Sequence, residues 1–156
     1  MSVLRIAKMG NPILLEKAKR IGDPRSPEIR TLANDMQDTL LDIGGSGLAA
    51  PQVMQGVRMV VYRMIPQRIP ASSNLEPIPW TVMVNPEISP IAKHKVEVWE
   101  RCLSIPGLHG KVPRWPEITI AYETLFGERI SQVARSSWAA LLQHECDHLD
   151  GVLYPM

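Results

Sequence analysis

Cysteine is scarce in this chain, with Cys102 and Cys146 the two among 156 residues. In a reducing compartment such a pair more often serves as thiols or ligands than as a disulfide, although sequence alone leaves pairing open. An excess of one charge is also missing. Seventeen basic residues meet sixteen acidic ones, a net charge of +1. No basic run is dense enough to track a phosphate backbone, so direct nucleic-acid binding is not expected. No segment approaches membrane-spanning length, and residues 1–13 alternate charged and apolar side chains instead of building the apolar core of a signal peptide. The expected location is the cytoplasm, with no membrane partner. Internal repeats and charged low-complexity tails are absent too. One domain over residues 1–156 is expected, large enough to bury a core without metal or disulfide, so stability alone gives no reason for a metal site.

What is present begins with a well-punctuated helix. In "SPEIRTLANDMQDTLLDI", Ser26 is a capping residue and Pro27 opens the helix. Ile29, Leu32, Met36, Leu40 and Ile43 recur at helical spacing, and Gly44-Gly45 ends the run. "GVRMVVYR" (56–63) and "EITIAYET" (117–124) read as strands, with "TVMVNP" and "KVEVWE" as shorter ones and Pro86 and Pro90 bounding the former. Four prolines in residues 65–80 predict a surface loop free to vary. A last helix is expected from about Gln132 to Leu149. The order of one helix, several strands and a final helix argues for an α+β fold, mostly antiparallel strands around a central C-terminal helix.

That last helix carries "QHECDHLDG", and within it His144-Glu145-x-x-His148. On a helix this spacing places both imidazoles on one face, one turn apart, with a carboxylate beside them. A catalytic metal site needs a third protein ligand. Asp150, the one acid among the eight residues after His148, points off the stripe. Upstream, Cys102 in "ERCLSIPG" is the best candidate, a potential thiolate at a strand end running into a turn. Cys146 points away from the histidine face and reads as a small core residue. His94 and His109 read as surface or packing residues.

A third stretch is "GGSGLAAPQ", residues 44–52. Its small residues leave the backbone bare, which suits close approach of an extended ligand, and Gln52 adds an amide donor. Alone, it reads equally well as a flexible turn leaving a helix.

Together the three stretches resemble the peptide deformylase family. Its motifs, G-h-G-h-A-A-P-Q (h apolar), E-G-C-L-S and Q-H-E-h-D-H, match Gly45 to Gln52, Glu100 to Ser104 and Gln143 to His148 in order and spacing. "MGNPILLEKAKRI" is similar to the family's opening. The resemblance implies a hydrolase that removes the formyl group from the formyl-methionine of new polypeptides and releases formate.

It also implies roles. Cys102, His144 and His148 would hold one divalent ion, with iron(II) expected and zinc, nickel or cobalt in isolated samples. Glu145 would act as base and then acid. Gln52 and the Leu103 N–H would stabilise the oxyanion. Ser46 and Gly47 would pair with the peptide as an added strand, and Leu141 would help line the methionine pocket, whereas Ala140 reads as ordinary core. Nascent formyl-Met peptides are the expected partners, with a transient ribosome contact. Asp147 either orients its neighbours or is a solvated acid, and Glu100 either supports the cysteine strand or pairs near Arg101.

Two motif positions differ from the family's usual residues, Ser46 for an apolar residue and Arg101 for glycine. His109 stands where an arginine is common. Arg101 is expected to touch substrate, narrowing the cleft or altering peptide preference, unless it points to solvent. The runner-up is a protein that binds metal and peptide without useful turnover. A general peptidase is a weaker alternative, because the downstream ligand is missing. Family members usually continue beyond the equivalent of Met156 with a basic residue and a tail, which is expected to be absent or truncated here.

Overall fold

The strand "MVVYRM" is apolar at nearly every position, as suits a strand covered on both faces. In the computed structural model, which describes residues 2–153, that is its situation. The chain forms strands β1 (Gly47–Ala49), β2 (Met59–Met64), β3 (Ile78–Pro90), β4 (Val96–Cys102), β5 (Ile105–Arg114), β6 (Glu117–Glu123) and β7 (Arg129–Arg135). Helix α1 spans Pro27–Ile43 and α2 spans Ser136–Leu149. Five strands form an antiparallel sheet in the order β1-β2-β3-β6-β7, and β4 and β5 form a separate hairpin.

Successive β2 residues point to opposite faces. Met59 and Val61 pack with Met36 and Leu40 of α1, while Val60 and Tyr62 pack with Leu142 and Leu149 of α2. Each such fully buried side chain contributes roughly 1.5 to 3 kcal/mol. The α+β class with antiparallel strands and a C-terminal helix is therefore as expected. So is α1, whose Ser26 side chain accepts from the Ile29 N–H and whose Gly44 closes the helix at φ 78°. Among the described residues no helix is long and apolar enough to cross a membrane.

Four expectations need correction. First, Gln132 to Arg135 are not helical; they complete β7, paired from Glu123↔Arg129 to Glu117↔Arg135. Ala134 continues the helical stripe in sequence, but its burial comes from the sheet. Second, Pro86 does not bound the strand. β3 runs through it and ends at Pro90, because a register shift between Val84 and Glu87, with Asn85 at φ 52°, relieves Pro86 of donating to the ladder. Third, Ile105–Arg114 form a strand, β5, that the sequence pattern does not predict. Fourth, residues 65–80 are not simply a free loop. They include short 3-10 turns at Pro66–Arg68 and Ala71–Ser73, and Arg68 reaches back to the Gly44 carbonyl and the Ser46 hydroxyl.

Candidate metal centre and its cleft

Cys102 ends β4 just before a tight turn at Leu103 and Ser104, and Cys102 pairs with Ile105 across it. That turn carries the thiol to α2, where His144 and His148 sit one turn apart with ring centroids 5.0 Å from each other at 82°. The three ligand atoms of Cys102, His144 and His148 lie within 4.8 Å of one another, and all three residues are buried. Cys102 Sγ is 3.3 Å from His148 Nε2. Cys146, by contrast, packs in the core with Leu142 and Leu149, and burial pushes its thiol well up. His94 and His109 are exposed.

One thiol and two imidazoles suit a divalent transition metal. Their surroundings favour it as well. Glu100 Oε1 accepts from His144 Nδ1 at 2.8 Å, which turns Nε2 toward the site. Burial opposes charge on both rings, but the outcomes diverge. Hydrogen bonds to Cys102 and Glu100 lift His144 to about 10, whereas burial and the neighbouring His144 and Arg114 push His148 down to about 3. The two rings thus carry one proton between them when no cation is bound, and a metal ion would displace it; the fit to a metal rests on the donor set itself, one thiol and two imidazoles brought together.

Glu100 is itself held in place. Arg114, on β5, donates Nε to Glu100 Oε2 at 2.7 Å and Nη2 to Oε1 at 2.8 Å, and its Nη1 binds Asp147 Oδ2 at 2.5 Å. Burial works against Glu100's charge, yet the hydrogen bonds from Arg114 and His144 hold its carboxyl below the usual carboxylate range. Asp147 follows the orienting reading, since it anchors Arg114, whereas Glu100 does not pair near Arg101 but holds His144 and Arg114. Sequence reasoning did not single out Arg114, which lies between Pro113 and Pro116 in a segment without a strand pattern. Gln143 bridges Trp115, accepting from its N–H at 2.8 Å and donating to its carbonyl at 2.7 Å, and so fixes α2 against the end of the hairpin.

Beside the ligands opens a cleft of about 890 Å³. Glu145 lines it, 3 % exposed, with Oε1 lacking a hydrogen-bond partner among the described residues. Burial raises Glu145 to about 7, against the lowering effect of His144. Gly47 makes room for this carboxylate: a Cβ there would lie 2.7 Å from Glu145 Oε2. Gln52 is oriented by its neighbours. Its Oε1 accepts from the Ala49 N–H at 2.9 Å, so its Nε2 faces Ser104 Oγ at 3.2 Å and Cys102 Sγ at 3.6 Å.

The N-terminal segment clamps both sides of this arrangement. The Ala7 N–H donates to the Gln52 carbonyl at 2.6 Å, the Met9 N–H to the Ser104 carbonyl at 2.7 Å, and Lys8 Nζ to the Leu103 carbonyl at 3.3 Å. Lys8 and Ser104 were not singled out in the sequence. Nor was the clamp, which joins residues far apart in the chain.

The remaining candidates line the same cleft. Ser46 precedes and Gly47 opens β1, the outermost strand of its sheet, so one edge of β1 has no strand beside it among the described residues. Leu103 is partly buried, Arg101 is exposed at the rim, and Leu141 is partly buried on α2. Ala140 also lines the cleft instead of belonging to the core, contrary to expectation. A buried carboxylate near neutral pKa, beside a metal-binding set and an open strand edge, is suited to hydrolysis of a peptide-like amide.

The polypeptide deformylase family model matches residues 3–156. The chain belongs to the polypeptide deformylase family. It is 40% identical over 151 residues to a peptide deformylase 1 from Nitrosomonas europaea, covering 97% of this chain and 85% of the relative. To a peptide deformylase 2 from Ralstonia nicotianae it is 39% identical, covering 97% and 84%. Among solved structures, the Met-Ala-Ser-bound class I type b deformylase of Acinetobacter baumannii superposes with a TM-score of 0.88 at 34% identity, covering 99% of both chains. A Thermotoga maritima deformylase gives 0.84 at 29%, covering 98% and 95%. This family member is accordingly a metal-dependent hydrolase of protein biosynthesis that removes the N-formyl group from new polypeptides.

Proposed function

We propose that Cys102, His144 and His148 hold one divalent ion, iron(II) in the cell, and that Glu145 moves the proton during deformylation. The observation that carries this reading is Glu145 itself, a buried carboxyl near neutral pKa that faces the cleft against Gly47. Zinc, nickel or cobalt suit the same donors and are the forms expected in isolated samples. When bound, the ion supplies Lewis acidity toward water and the formyl carbonyl.

The chain's own groups do the rest. The nascent peptide adds as a strand along Ser46 and Gly47, and main-chain pairing holds many sequences alike. Leu141 helps line the pocket for the methionine side chain. As water attacks the formyl carbon, Glu145 takes its proton and then delivers it to the departing amine nitrogen, so one carboxylate serves both steps. Gln52 Nε2 and the Leu103 N–H stabilise the developing oxyanion, with Ala49 and Ser104 fixing the amide's direction. The substrate is the N-terminus of a chain still emerging from the ribosome, so this reading includes a cytoplasmic location and a transient ribosome contact. The products are formate and a free N-terminal methionine.

The test is formate release from a formyl-Met peptide by protein purified anaerobically with iron(II), with bound metal quantified in the same sample. Turnover that disappears on chelation and returns with metal supports the assignment. Stoichiometric metal without formate would instead favour a binder lacking useful turnover.

A further inference from the structure

The outer part of the cleft is unevenly charged. Three exposed cations line it: Lys8, Arg68 and Arg101. The acids that line it are Glu100 and Glu145, both deep inside, and Glu100 is already committed to Arg114 and His144. None of the three cations has an acidic partner among the described residues. Lys8 Nζ rests on the Leu103 carbonyl at 3.3 Å, while Arg68 holds the Gly44 carbonyl and, at 3.3 Å, Ser46 Oγ. Each is thus seated on one backbone wall of the entrance with its charge uncompensated. Arg101 stands at an irregularity of the β4–β5 ladder between Glu100 and Cys102, where a bulge re-aims side chains.

Gly47 marks the reacting end, because Glu145 lies against it. Gly44, held by Arg68, is three positions farther out along the same wall. Arg68 also reaches Ser46 Oγ, the residue next to Gly47, so a strand laid on this wall passes the guanidinium within the few residues that follow the reacting end. We infer that Lys8, Arg68 and Arg101 form a cationic entrance that favours formyl-Met peptides carrying aspartate or glutamate in the residues just after the methionine. The inference rests on the strand-pairing orientation proposed above. Such exposed charges act through steering and weak pairing, so the preference weakens with salt.

The experiment compares formyl-Met-Ala-Glu-Ser and formyl-Met-Ala-Gln-Ser, both C-terminally amidated so that no terminal carboxylate competes, using the iron(II)-loaded enzyme. The ratio of kcat/KM values, Glu over Gln, is expected to be roughly three to ten at low ionic strength. It should fall toward one in 0.5 M KCl, at about a Debye length of a few ångströms. In the double variant Arg68→Gln/Arg101→Gln the ratio should collapse, and in Arg68→Lys/Arg101→Lys it should persist. A ratio of one in the parent enzyme overturns the inference, as does a ratio unchanged in the Gln double variant. Formate from neither peptide overturns the assignment of the reaction itself, and the inference falls with it. Because the readout is a ratio between two isosteric substrates, a variant that is merely less active still decides the question.

Discussion

The two helices pack on opposite faces of one sheet and are built by different rules. α1 has a serine cap whose side chain accepts from Ile29, a proline in its first turn and a left-handed glycine at its end. α2 has none of these at its start. Its N-cap, Arg135, makes no side-chain capping hydrogen bond, its guanidinium pairing with Glu117 instead, and Ser136 sits at φ 57° directly after the strand. α1 buries Ala33, Met36, Thr39 and Leu40, while α2 buries Gln143, His144, Glu145 and His148 among its apolar residues. A helix that breaks local rules and buries titratable groups must be held by contacts from elsewhere in the chain. For α2 those contacts are Glu100, Arg114 and the Trp115 backbone. The lesson is that α1 is specified by its own segment, and α2 by the hairpin opposite it.

The comparison breaks most visibly at Glu145. Replacing it in Glu145→Ala should leave metal bound and the fold intact while formate release falls by about 10² to 10⁴. Bound iron and turnover measured on one sample check this, and unchanged turnover would falsify the proton-transfer assignment. Next comes Gln52→Leu, whose loss of one oxyanion donor should lower kcat by about 10² to 10³ with little change in KM. Its metal content should stay near that of the parent, since Gln52 is not among the ligands.

Glu100→Ala tests whether the hairpin supports α2. It removes the acceptor that orients His144 and leaves Arg114 buried with Asp147 as its remaining acid. Metal affinity should fall by about 10- to 100-fold in a chelator competition. The metal-free protein should also lose roughly 3 to 5 kcal/mol of stability, the usual consequence of breaking a buried ion pair from one side. Full stability and unchanged affinity would mean that α2 holds His144 without help.

The same division explains what could be read from the residues alone. The two histidines, Glu145 and the bounds of α1 depend on spacing within one segment, so the periodicity reveals them. Cys102 could be placed because a strand end beside a turn is also a local feature. Arg114 could not: its role depends on the hairpin register, which pairs Val96 with Arg114, and Pro106, Gly107 and Pro113 hide the second strand of that hairpin. Arg68 was concealed by the prolines around it, although its guanidinium returns to the glycine-rich wall. Periodicity alone starts α2 four residues early because Ala134 satisfies helical and strand spacing alike.

The smallest expected effect lies on the other side of the comparison. Ser26→Ala removes the side chain that accepts from the Ile29 N–H, and such caps are worth about 1 kcal/mol. For a chain of this size the melting temperature should fall by roughly 2 to 4 °C. Turnover and metal affinity should not change, because α1 reaches the cleft only through Ile43 at its end and supplies no ligand or reacting group. Thermal unfolding of the metal-loaded protein, beside formate release from the same preparation, gives both numbers. A matching loss of turnover would show that α1 is coupled to the site through Gly44 and Gly45, the link between it and the cleft wall, and the division of labour between the two helices would fail there.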